Sequence, residues 1–156
     1  MKRLIALSST FVLLLALGSC KPPAEQKQTD TTVPASSPQV SLTDKYWKLI
    51  ELNGQPITTD SGYTKEPHLI FNVADTSVRG NGGCNGFGGK YELQDGNRIK
   101  MSKLISTMMA CEKIQVENEY FKALEAADNY VLHGDTLVLN RARMAPLARF
   151  VVASPK

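Results

Sequence analysis

The chain is 156 residues long, enough for one domain, and carries 18 Lys and Arg against 15 Asp and Glu, a formal charge of +3. Two of those bases, Lys2 and Arg3, lie in an N-terminal leader; without them 16 bases face 15 acids and the charge is +1. So small an excess leaves no electrostatic footprint for nucleic acid, and none is expected as a partner.

The leader spans residues 1–19. Lys2 and Arg3 precede an apolar run from Leu4 to Leu17, then Gly18 and Ser19, the order of a secretory signal peptide. The run is shorter than the roughly 20 residues a membrane-spanning helix needs. Leu17-Gly18-Ser19-Cys20 resembles the lipobox of bacterial lipoproteins, in which the chain is cut before the cysteine and that cysteine is acylated. The resemblance implies lipidation at Cys20, and several acyl chains on one residue hold a protein stably to a bilayer. Lys21 is not the aspartate that retains some lipoproteins in inner membranes, which favours the outer membrane over the inner for this periplasmic, lipid-anchored chain. Residues 20–43 are rich in Pro, Ser, Thr and Gln; such a segment buries too little surface to offset its ordering entropy and reads as a tether.

The folded domain is expected over 44–156, mostly as strands. The segment 46–54 alternates in part and ends at Asn53-Gly54, a turn signal. Apolar strands follow at 68–74 and 77–83, the second entering a glycine-rich stretch. Segments 89–94 and 98–102 flank Asp95-Gly96-Asn97, a hairpin signal, and 129–140 reads as two strands around Gly134-Asp135. A last strand covers 147–152. Between them, Glu112 to Asp128 contains no Gly or Pro and repeats Val116, Tyr120, Leu124 and Ala127 at helical spacing, with Phe121 alongside. The expected class is α+β, mostly β: a small curled antiparallel sheet or barrel-like domain with one packed amphipathic helix.

The segment Gly82 to Tyr91, GGCNGFGGKY, raises the question of chemistry. It is not a phosphate-binding loop, because GxxxxGK[ST] is absent. Cys84 and Cys111 are the two cysteines of the domain; in an oxidising envelope an even pair is usually a disulfide. The chain-entropy relation gives about 3.5 kcal/mol for closing a loop of about 28 residues. Two rivals stand beside this reading. Cys84 and Cys111 with His68 and His133 make a nominal zinc set, although paired close spacings such as CxxC are missing. Cys84 as a nucleophile needs a nearby base, which sequence cannot place. Asn85 and Phe87 are candidate contacts for a ligand or partner, with Asn85 also suited to satisfying turn amides.

The stretches 47–54, 79–93, 105–124 and 130–140 resemble the META domain family, that of HslJ-like bacterial envelope proteins, in order and spacing. The most specific pieces are Gly83-Cys84-Asn85 with Tyr91, and Thr107-Met108-Met109-Ala110-Cys111 with Glu119 and Leu124. The C-terminal RMAPLARF departs from a family pattern that often has a Gly-rich turn there. The resemblance implies a barrel-like sheet with a packed helix, an association with envelope stress and heat induction, and no established reaction. The expectation is therefore a non-enzymatic, membrane-tethered, monomeric envelope lipoprotein, binding or protecting an envelope protein partner under stress and needing no cofactor or metal. The alternatives are a carrier of a small apolar ligand in a barrel cavity and a Cys- or zinc-dependent enzyme.

Overall fold

The computed structural model describes residues 41–58 and 62–155. The leader, Cys20 and most of the tether lie outside the described residues. Folded structure begins slightly before the expected Asp44. Leu42 is buried and its carbonyl accepts the Trp47 indole N–H at 2.8 Å.

Nine strands and one helix form among the described residues. They are β1 (Trp47–Leu52), β2 (Gln55–Pro56), β3 (His68–Asn72), β4 (Ser77–Asn81), β5 (Gly86–Gln94), β6 (Arg98–Ser106), α1 (Ile114–Ala126), β7 (Asn129–His133), β8 (Thr136–Asn140) and β9 (Ala148–Val152). All pairings are antiparallel, and β1 pairs with both β3 and β9. Eight strands thus close into a barrel, which leaves few exposed sheet edges. The short β2 flanks β1 after the Asn53-Gly54 turn, whose φ values of 49° and 78° suit an Asn-Gly hairpin.

Alternation decides what fills the barrel. Trp47, Leu49, Leu69, Phe71, Val78, Leu137, Leu139 and Phe150 are all essentially fully buried. Helix α1 adds Tyr120, Ala123 and Leu124, and Tyr120 meets Phe87 edge-on at 5.9 Å between ring centres. The interior is therefore occupied by side chains, as in other small barrels. The seam between β6 and β7 is the thinnest, with the single register pair Arg98–Asn129. Beyond it β6 runs beside α1: Leu104, Ile105, Ser106, Phe121 and Glu125 surround a small cavity of about 50 Å³.

The helix is shorter than the expected 112–128 and its inward stripe is shifted. Glu117, Tyr120, Leu124 and Ala127 are buried, whereas Val116 is only partly so. A carboxylate therefore enters the core where valine was expected.

Candidate functional site

The glycine-rich stretch divides into two parts with different physical roles. Asn81 to Asn85 are buried, and none of their buried side-chain polar atoms is left without a hydrogen-bond partner. Glu117, 2 % exposed, reaches this turn from α1. Its Oε2 accepts the Cys84 N–H at 3.1 Å and the Asn85 N–H at 2.6 Å, and its Oε1 accepts Asn85 Nδ2 at 2.6 Å. The Asn85 side-chain oxygen accepts the Thr107 hydroxyl and the Met109 N–H, each at 2.8 Å, while Nδ2 also donates to the Met109 carbonyl at 3.1 Å. A buried polar cluster survives only when so fully satisfied.

Two glycines are required by this arrangement. A Cβ on Gly82 would lie 2.5–2.9 Å from the Glu117 side chain. Gly83 has φ of 111°, a conformation that other residues rarely adopt, and a Cβ there would meet the Tyr63 ring at 2.4 Å. The Cys84–Cys111 disulfide then fastens the turn to the segment before α1, with the Cα atoms 6.1 Å apart, inside the usual range.

Asn85, expected as a candidate ligand contact, is 1 % exposed and has its amide engaged within the protein. Phe87 packs its ring against Tyr120 and Phe121 and is also among the residues lining the open trough described below. The four residues of the nominal zinc set do not converge: Cys84 and Cys111 bond to each other, His133 is exposed at the end of β7, and His68 lies on β3. Among the described residues no group of three His, Cys, Asp or Glu side chains is placed to hold a metal ion.

The second part of the stretch behaves differently. Gly86 and Gly88 sit on the outer wall of β5. Neither has a positive φ, and the nearest atoms to an added Cβ are 3.8 and 4.0 Å away. The fold does not demand glycine there. Their missing side chains instead leave the floor of an open trough of about 540 Å³ across β3, β4, β5 and β6. Pairing builds it in two rows. One is Ile70, Arg79, Gly88 and Ile105; the other is His68, Asn81 and Gly86, continued by Thr107, whose N–H donates to the Gly86 carbonyl at 3.1 Å. Ile105 is 76 % exposed and Met108, beyond the end of β6, 97 %. A second depression of about 490 Å³, containing Tyr46 and Asn72, adjoins the trough across Ile70 and Arg79.

The electrostatics of the trough are simple. Arg79 is its only fully charged lining residue, and its side chain makes no hydrogen bond or ion pair among the described residues. Glu66, just outside, is bound to Lys48 at 2.6 Å. His68 stacks on Tyr46 at 4.3 Å, and its Nδ1 is 2.8 Å from the Glu66 carbonyl, which fixes the ring proton on Nδ1. Burial lowers the His68 pKa below its ordinary value, against the opposing pull of Glu66. Burial, then the charge of Glu66, pushes the Tyr46 hydroxyl up to about 12. Both groups are therefore neutral near pH 7.

Sequence reasoning missed Glu117 and Arg79. Glu117 had a detectable signal, since it stands three residues before Tyr120 and seven before Leu124 on an apolar stripe. Glu119, highlighted by the family motif, is exposed. Arg79 had no such signal, because its importance depends on which strands lie beside β4.

Comparison with curated proteins gives no match. Three solved structures share the fold. An NMR structure of a protein has 22 % identity and a TM-score of 0.56, covering 72 % of this chain and 95 % of its own. An NMR structure of a protein from Burkholderia xenovorans has 22 % identity and a TM-score of 0.58, covering 83 % and 99 %. A crystal structure of a DUF4847 family protein from Bacteroides vulgatus has 15 % identity and a TM-score of 0.52, covering 70 % and 93 %. The META domain profile matches residues 40–154, nearly all of the described barrel and its helix, and the chain belongs to the META domain family.

Proposed function

We propose that this protein is a non-enzymatic, HslJ-like envelope lipoprotein. It is acylated at Cys20, held at the periplasmic face of the outer membrane, and binds an envelope protein partner under stress through the outer wall of its barrel. The observation that carries this reading is the trough floored by Gly86 and Gly88, two glycines that the fold does not require, beside the exposed Ile105. Glycine inside a strand weakens it, and commonly marks close approach by another molecule. Exposed apolar side chains at the rim have the character of an interaction surface. The filled barrel interior weighs against a ligand carried inside, and the disulfide against a thiol nucleophile.

A photo-crosslinking residue at Ser106 of the full chain tests the partner reading in cells. It is expected to give a discrete adduct that disappears when Gly88→Leu fills the trough. An unchanged adduct pattern in Gly88→Leu contradicts the reading. Cys20→Ser tests the anchor: the protein is expected to leave the membrane fraction and lose its acyl mass, and a variant that still sediments with membranes contradicts lipidation.

A further inference from the structure

We infer that the trough takes an extended acidic peptide segment, whose carboxylate pairs with Arg79 while flanking apolar side chains rest on Ile70 and Ile105. This rests on the partner-binding reading above and specifies its chemistry.

Three features point to that occupant. Charge is the first: the lining contains one full cation, Arg79, whose side chain has no partner among the described residues, and no acid. Two carboxylates in the neighbourhood already make contacts of their own. Glu66 is paired with Lys48, and Asp44 in the adjoining depression accepts the Val73 N–H at 3.3 Å. An unpaired guanidinium between apolar neighbours is complementary to a carboxylate, which it can bind through two parallel hydrogen bonds. Neutral His68, with its proton on Nδ1, leaves Nε2 as an acceptor and adds no second cation.

Shape is the second feature. Neighbouring strands are about 4.8 Å apart, so a path across four of them is about 14 Å long, the span of roughly four extended residues. The third is the floor itself. With no side chains at Gly86 and Gly88, another backbone can lie close against β5. A single acyl chain would gain more from an enclosed apolar cavity, which this open wall does not provide.

The test uses the full chain and three fluorescent, end-capped peptides of alternating Val and Ser with Glu, Lys or Ser at the centre. Fluorescence anisotropy reads the affinity, and laurate serves as a lipid competitor. The Glu peptide is expected to bind about 2- to 5-fold tighter than the Lys peptide, as an ion pair with the exposed Arg79 supplies. Arg79→Glu is expected to invert that order, and Gly88→Leu to abolish binding. Both substitutions lie on the outer wall, where wild-type far-UV circular dichroism is expected. Equal binding of the Glu and Lys peptides, lost in Gly88→Leu, overturns the acidic specificity while leaving a peptide-binding trough. Displacement by laurate with the same Arg79 dependence overturns it in favour of an anionic lipid. Absence of binding by every peptide at millimolar concentration also overturns it, and the Ser106 crosslink then decides the partner reading separately.

Discussion

Glu117 and Asn85 hold each other at two points: the Asn85 backbone N–H donates to Oε2 and its side-chain amide to Oε1, each at 2.6 Å. This pair joins α1 to the glycine turn inside the core, and through Asn85 it also fixes Thr107 and Met109. Removing the acceptor strands buried donors, each costing about 1–3 kcal/mol. Glu117→Ala is therefore expected to destabilise the protein by about 3 kcal/mol or more in urea unfolding. Asn85→Asp sets a second carboxyl against Glu117 and is expected to be worse than Asn85→Ala at pH 7, recovering part of the difference near pH 4. An Asn85→Asp variant as stable as wild type at pH 7 contradicts this geometry.

The disulfide acts on the same region by a separate route. With Cys84 and Cys111 separated by 27 positions, reduction is expected to lower stability by about 2–4 kcal/mol. The Glu117–Asn85 contacts remain, so the reduced protein is expected to keep its far-UV circular dichroism at 25 °C. Thiol titration of the unfolded, unreduced domain should find no reactive thiol from these two residues. Two reactive thiols contradict the assignment.

Tyr120 is fully buried, and its hydroxyl has no hydrogen-bond partner among the described residues. Burial raises its pKa well above the ordinary value. Tyr120→Phe keeps the ring that packs on Phe87 and Phe150 and removes an unsatisfied polar group. It is expected to leave stability unchanged or raise it by up to about 1–2 kcal/mol. A loss above 1 kcal/mol would reveal a bond from that hydroxyl, for example to a buried water.

His68 supplies a pH dependence. Its folded pKa lies below the ordinary 6.5 because burial disfavours the imidazolium, with Lys65 adding to the effect and Glu66 opposing it. The unfolded state thus takes up the proton first as pH falls. The contribution of His68 is complete above about pH 6.5 and is lost as pH drops through the folded value. Tyr46, stacked on His68 with its hydroxyl pushed up to about 12, does not change charge in that range. His68→Gln is expected to flatten the urea midpoint between about pH 6.5 and pH 5; an unchanged slope contradicts the assignment.

Much of the fold was legible because its signals are local. Asn53-Gly54 and Asp95-Gly96-Asn97 mark hairpins whose chemistry needs no tertiary partner, and the partial alternation of 46–54 and the apolar run of 68–74 marked strands. The Cys84–Cys111 pairing needed only a count of cysteines and a compartment. Less was legible where neighbours decide. Strand β5 starts at Gly86 because β4 supplies a partner there, and β2 exists only as an addition to β1. The role of Glu117 depends on donors more than 30 residues earlier in the chain. The trough is a property of four strands side by side, so Arg79 and Ile105 carry no mark of it in their own segments.

Within one run of glycines, Gly82 and Gly83 serve the fold, while Gly86 and Gly88 floor the open trough. Urea unfolding of four single Gly→Ala variants tests that division most directly. Gly83→Ala is expected to cost about 1–3 kcal/mol from its left-handed backbone, and Gly82→Ala a similar amount from its overlap with Glu117. Gly86→Ala and Gly88→Ala should be neutral, or stabilising by about 0.5–1 kcal/mol, because alanine loses less backbone freedom on folding. A loss at Gly86 or Gly88 comparable to that at Gly83 would show that these glycines are structural and would contradict the functional reading of the trough.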